Sequence, residues 1–236
     1  MNITKSVAQS IKDRGYWGTI QVTLSYIIDY FFDIRYGTDT FSWVELDDLQ
    51  IQSKNIKRGE RYQPTHAMSL RNLFRKLQIP REKILVDLGS GKGKVLLVAA
   101  EYGFKEVRGV EFSKELCHIA KRNFKAFSEK NRGETRFKVN QSDVVDYQIH
   151  EDESVFYLFN PFDNEILSKV LSRIIASVKR KKGRSGLFIT THCTKALLKI
   201  PSCFPRRLSI KVLDKNSLYL QTLNQDFPLK REYLKP

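Results

Sequence analysis

Val86-Asp87-Leu88-Gly89-Ser90-Gly91-Lys92-Gly93 is the stretch that decides the fold of this chain. An apolar run, Ile84-Leu85-Val86, leads to an acid and then to three glycines at alternate positions. Lys94-Val95-Leu96-Leu97-Val98-Ala99-Ala100 follows and reads as the first turns of a helix. Glycine is required where a strand turns sharply into a helix and a ligand approaches the backbone closely. Such a turn aims free amide N–H groups and the positive end of a helix dipole at the ligand.

The spacing of the glycines narrows the ligand. The dinucleotide fingerprint G-x-G-x-x-G needs a glycine at position 94, where Lys94 stands. A P-loop needs Gly-Lys followed by Ser or Thr, and both Gly91-Lys92-Gly93 and Gly93-Lys94-Val95 fail that test. What remains is acid-x-G-x-G-x-G. An acid before the loop repels a pyrophosphate and suits a ligand with an ammonium group, such as S-adenosylmethionine, which also carries a sulfonium.

Further strands extend the pattern. Val107-Arg108-Gly109-Val110-Glu111 reads as a second strand ending in an acid, a position that commonly holds ribose hydroxyls. Ser142-Asp143 follows the alternating stretch 135–139, and Val155-Phe156-Tyr157-Leu158-Phe159 reads as a buried strand ending in Asn160-Pro161-Phe162-Asp163. Taken singly, Asp87 could cap a strand, Glu111 could lie at the start of the helix that Ser113 begins, and Asp143 could belong to an ordinary turn.

Over roughly residues 62–222 the chain resembles class I S-adenosylmethionine-dependent methyltransferases. Asp87 to Gly93 matches that family's first motif, Glu111 its second, Asp143 its third and Asn160-Pro161-Phe162 its fourth. The resemblance implies that Asp87, Gly89, Ser90, Gly91 and Gly93 hold the methionine end of the cofactor. It places Glu111 on the ribose, with Phe112 beside it, and Asp143 on the adenine amino group, with Val144 next to the ring. Asn160, Pro161 and Phe162 are then the catalytic candidates, with Asn160 also touching cofactor. In amino-methylating relatives an Asn/Asp-Pro-Pro-aromatic motif accepts hydrogen bonds from the acceptor NH2 and stacks a ring on it; this chain has only one proline there. Tyr62-Gln63-Pro64-Thr65 resembles the Tyr-x-Pro segment of some protein-lysine methyltransferases, which makes Tyr62 a further candidate; alternatively, Pro64 merely starts a helix.

Composition sets the outer bounds. The 236 residues, 41% of them apolar, suffice for one domain with a substantial core and an extension. Lys and Arg outnumber Asp and Glu by 41 to 26, a net charge of +15 that favours anionic partners. The densest basic run, Lys179-Arg180-Lys181-Lys182-Gly183-Arg184, falls at a helix end, where the dipole favours cations in any case. Cys117, Cys193 and Cys203 lack metal-ligand spacing, the four histidines are scattered, and reduced thiols in a cytoplasmic protein account for the cysteines. The first residues lack a signal-peptide core, and the apolar stretch 24–34 is interrupted by Asp29 and Asp33, so no integral membrane span is expected.

Three parts follow: a helical extension over 1–60, a cofactor-binding domain over 61–224 and a charged tail over 225–236. In the extension Ile20, Leu24, Ile27, Ile28 and Phe31 form one apolar stripe on a helix of about 16–18 residues, expected to pack on the main domain. Residues 64–77 read as a helix. Strands at 84–88, 106–111, 135–140, 154–159, 186–191, 207–213 and 217–222 alternate at first with helices at 93–103, 113–129 and 164–181. The expected fold is α/β, a Rossmann-like seven-stranded, mostly parallel sheet whose C-terminal hairpin, turned at Asp214-Lys215-Asn216, is antiparallel. The expected function is methyl transfer to an amino group of a macromolecule, protein lysine or RNA/DNA. A non-catalytic cofactor-binding scaffold with a basic nucleic-acid-binding surface and a small-molecule methyltransferase stay open. Residues 1–60 are expected to shape acceptor choice, lying outside the part that binds cofactor.

Overall fold

The computed structural model describes residues 3–44, 62–159, 164–180, 186–191, 208–213 and 220–223. The chain begins with helix α1 (Ile3–Tyr36), followed by α2 (Ala67–Leu77) and β1 (Ile84–Leu88). Then come α3 (Lys94–Tyr102), β2 (Glu106–Glu111), α4 (Lys114–Lys130), β3 (Arg136–Gln141) and β4 (Glu153–Phe159). Helix α5 (Asn164–Arg180) precedes β5 (Gly186–Thr191), β6 (Leu208–Leu213) and β7 (Leu220–Leu223). Most of these bounds lie within a residue or two of those read from periodicity. The hairpin turn expected at 214–216 and the tail over 225–236 lie outside the described residues.

The strands form one sheet in the order β3-β2-β1-β4-β5-β6-β7, parallel except for the β6–β7 pair. The chain leaves β1 to build β2 and β3 on one side, then returns to place β4 on the other. Ligands bind at such a reversal, outside the C-terminal strand ends. Side-chain alternation divides the core in two. Leu85, Val107, Val155 and Tyr157 meet α1–α4 on one face, while Val86, Val110, Phe156 and Leu158 meet α5 and the 144–149 segment on the other. Arg108 is buried near the strand beginnings, where its guanidinium donates to Glu106, Asp152 and Glu153 at 2.6–2.9 Å.

Two expectations for the N-terminal part are corrected. Helix α1 runs for 34 residues with a kink at Gly15, twice the expected length. Its stripe does not pack on the domain: Ile20, Leu24, Ile27 and Phe31 are exposed and Ile28 is half-buried. The domain takes the opposite side, where Asp29, Phe32 and Tyr36 are buried. The physical reason is polar. The Asp29 carboxylate accepts from the Ala67 N–H at the start of α2 (2.9 Å), pairs with His66 Nδ1 (2.6 Å) and lies 3.4 Å from Lys94 Nζ. A helix start is a favourable place for a negative charge, so Asp29 selects the face that packs. The same contact sets the start of α2 at Ala67 rather than Pro64.

Candidate active site

The loop after β1 is built by backbone hydrogen bonds. The N–H groups of Gly89 and Ser90 both donate to the Val110 carbonyl, at 2.8 and 3.0 Å, and Gly93 N–H donates to the Ser90 carbonyl at 2.8 Å. Gly91 is required twice over. Its φ is +50°, and a Cβ there would lie 2.3 Å from the Tyr62 ring. Tyr62 itself is pinned, with its N–H donating to the Val44 carbonyl and its hydroxyl donating 3.0 Å to the Thr40 carbonyl. Tyr62 therefore forms a wall over the loop, and Thr40 and Val44 of the extension hold that wall in place.

The loop lysines complete that junction. Lys92 Nζ donates to Asp39 (2.9 Å) and Ser42 (2.6 Å), and Lys94 Nζ donates to Thr40 Oγ1 (3.0 Å) while lying 3.9 Å over the Phe32 ring. Both lysines are 2% exposed. Burial opposes a charge on Asp29, yet His66, Lys94 and the Ala67 N–H outweigh it and hold that carboxyl below its ordinary value. Asn123 on α4 adds a tie, donating to the Asp39 and Lys92 carbonyls. Sequence reading missed this junction. Its one available signal was two acids, Asp29 and Asp33, inside an apolar helix. Asp33 accepts from Thr38, Thr40 and Phe41 and shapes the turn after α1.

Two carboxylates face the loop from the strand ends. Asp87, on β1, is 2% exposed, and no donor among the described residues reaches it. Burial, and then the charge of Glu111, push its carboxyl well above the usual carboxylate range. Glu111, at the end of β2, accepts from Gly91 N–H (2.8 Å) and Ser113 N–H (2.9 Å). Burial outweighs those donors and pushes it up to about 7. Close by, the Ser90 hydroxyl is buried without a hydrogen-bond partner among the described residues, and the buried Tyr157 hydroxyl lies beside Thr65. Tyr157 is the β4 residue in register with Asp87 at the chain reversal, and sequence reading did not single it out.

Two buried acids beside an unpaired hydroxyl are costly unless a ligand brings donors and positive charge. That donor set fits the ammonium and ribose hydroxyls of S-adenosylmethionine. Phe112 is half-buried between Glu111 and Ser113, whose hydroxyl caps α4 through Leu116 N–H. Asp143 follows β3, where the Ser142 N–H bonds to the Glu111 carbonyl, so Asp143 lies beside the same strand end with Val144 buried next to it. Asp87, Gly89, Ser90, Gly91, Gly93, Glu111, Phe112, Asp143 and Val144 thus line one end of the sheet. Asn160, Pro161 and Phe162 lie outside the described residues; β4 brings the chain to the same end at Phe159. Among the described residues there is no group of side chains that could hold a metal ion, and no helix long and apolar enough to cross a membrane.

The profile of the family described as histone methylation protein DOT1 matches residues 47–181, more than half of the chain. A ribosomal protein L11 methyltransferase of Dictyoglomus turgidum is 23% identical over 178 residues, covering 73% of this chain and 54% of its own. Its counterpart from Dictyoglomus thermophilum is 24% identical over 155 residues, covering 64% and 46%. The chain therefore spans about half the length of these curated relatives. Among solved structures, a SAM-dependent methyltransferase of Thiobacillus denitrificans in complex with S-adenosyl-L-homocysteine aligns with a TM-score of 0.39 and 21% identity, over 47% of this chain and 43% of that one. Magnesium protoporphyrin IX methyltransferase from Synechocystis, with bound SAM, aligns at 0.39 and 16% identity, over 47% and 51%. The chain belongs to the DOT1 family, and through it to the class I S-adenosylmethionine-dependent methyltransferases.

Proposed function

From that family membership we propose that the protein transfers a methyl group from S-adenosylmethionine to an amino nitrogen of a macromolecule, a protein lysine or an RNA or DNA base. The observation that carries this is the pair of buried acids, Asp87 and Glu111, at the glycine loop. Asp87 takes the ammonium group, the amides of Gly89–Gly93 and the Ser90 hydroxyl border the methionine end, and Glu111 takes the ribose hydroxyls with Phe112 alongside. Asp143 and Val144 hold the adenine. Burial disfavours the ionised form of both acids, and that form becomes favourable once donors and positive charge arrive.

The cofactor supplies a methyl group already activated by its sulfonium. The protein therefore needs alignment and an uncharged nitrogen rather than strong acid catalysis. Asn160 and the backbone carbonyl beside it accept N–H bonds from the acceptor and aim its lone pair at the methyl carbon; Phe162 packs on the acceptor. Held by Asp87, the glycine loop and Glu111, the cofactor would supply its methyl group and depart as the neutral thioether, while the acceptor nitrogen would give up a proton to water. Tyr62 closes the loop side of the site. The relatives that act on ribosomal protein and the DOT1 likeness support a protein acceptor, and the +15 charge supports a polyanionic one.

The test is transfer of radiolabelled methyl from S-adenosylmethionine into an extract of the source cells, followed by nuclease or protease digestion. Label lost to protease identifies a protein acceptor, and label lost to nuclease a nucleic acid. Cofactor binding without any macromolecular label refutes the proposal in favour of a small-molecule acceptor or a scaffold.

A further inference from the structure

From Tyr16 onward α1 is regular helix, and Gly15, at φ 72°, sets it off from the turns before. Between residue 15 and Asp29 none of the described side chains is buried, and the segment meets the domain through Tyr26, whose ring packs edge-on against His66 at 5.1 Å. Its outward side carries Trp17, Ile20, Leu24, Ile27, Phe31 and Ile34, all exposed, Trp17 at 71% and Phe31 at 60%. Their steps of three, four, three, four and three residues are the a/d spacing of a coiled-coil seam. An apolar face of this extent is a site of association rather than ordinary surface. We propose that it is where two copies of this chain pair, helix against helix and antiparallel.

Three observations select a second copy. With Tyr16 and Tyr30 at its margins, the stripe exposes roughly 900 Å² per chain, so a pair has at most about 1,800 Å² to bury, a ceiling within the range of specific interfaces. The spacing reads the same in both directions. Antiparallel pairing about a two-fold axis sets Trp17 opposite Ile34, Ile20 opposite Phe31 and Leu24 opposite Ile27, a self-complementary match. Charge argues against a lipid surface. From Tyr16 to Ile34 the helix has no Lys or Arg, which a surface-seeking helix carries on its polar face. Its only charges there, Asp29 and Asp33, accept hydrogen bonds from residues 38–41 and from Ala67. The antiparallel sense also sets two chains of net charge +15 at opposite ends of the seam, which lessens their repulsion.

The test uses the full chain in sedimentation equilibrium from low to high micromolar concentration. Wild type is expected to dimerise, and the double variant Ile20→Lys with Ile27→Lys to weaken the dimer by about 100-fold or more while binding S-adenosylmethionine unchanged, since both side chains are exposed. A second measurement fixes the sense of pairing. Oxidation of Trp17→Cys mixed with Ile34→Cys should give linked dimers that neither variant gives alone, relative to the unsubstituted chain. A chain monomeric throughout overturns the proposal, as does a dimer that survives the double variant or a cross-link formed by the single variants alone. A monomer that binds phosphatidylserine vesicles through the same residues assigns the stripe to lipid instead.

Discussion

The two buried acids predict an unusual dependence of stability on pH in the absence of cofactor. Glu111 has an ordinary value of 4.5 and is pushed up to about 7 by burial. Its raised value means that the fold prefers the protonated form. The contribution is therefore fully present below about pH 4.5 and is lost as pH rises through about 7. That rise corresponds to about 3 kcal/mol, most of which falls between pH 5 and pH 8. Asp87 shifts in the same direction. The acids whose carboxyls are held low, Asp29, Asp39, Glu106 and Asp152, act with the opposite sign, but their effect is complete at lower pH. Urea denaturation of wild type and Glu111→Gln at pH 5, 6, 7 and 8 isolates the term, because the histidines cancel in the difference. The ligand-free wild type should lose about 2–3 kcal/mol relative to the variant across that range. Parallel curves for the two proteins would refute the claim that burial of Glu111 outweighs its backbone donors.

The same geometry makes four further predictions. Cofactor affinity, measured by calorimetry, should rise between pH 5 and pH 7 by up to about tenfold per unit, since binding a cation releases a proton from an acid; Asp87→Asn should weaken binding at least tenfold while raising ligand-free stability, because it removes a buried acid that no donor supports. Gly91→Ala should cost about 1–3 kcal/mol from its positive φ and the contact with Tyr62, and the added Tyr62→Ala should recover only the steric part in thermal denaturation. Arg108→Ala should cost about 3–5 kcal/mol by removing the cation that faces the fully buried Glu153, while the remaining folded protein binds cofactor normally.

The legible and illegible parts of the chain divide by the range of the forces involved. Strand, glycine turn and helix over 84–102 are written locally: Gly91 and Gly93 adopt positive φ, and the alternation of Leu85 and Val86 between the two core clusters is that of any strand buried on both faces. Once the order of elements is known, right-handed crossovers leave few sheets to choose from. The acids Asp87 and Glu111 could be found because they lie at strand ends, at fixed distances from those glycines. Lys94 could not be placed. In sequence it is a polar residue opening a helix, and only the folded chain brings it to Asp29 and Thr40, more than fifty residues earlier. Helix α1 marks the same boundary from the other side. Apolar residues occur around its whole circumference, so periodicity alone offers two faces. The choice was made by one carboxylate finding a helix start and a lysine, a long-range electrostatic match that no local pattern encodes.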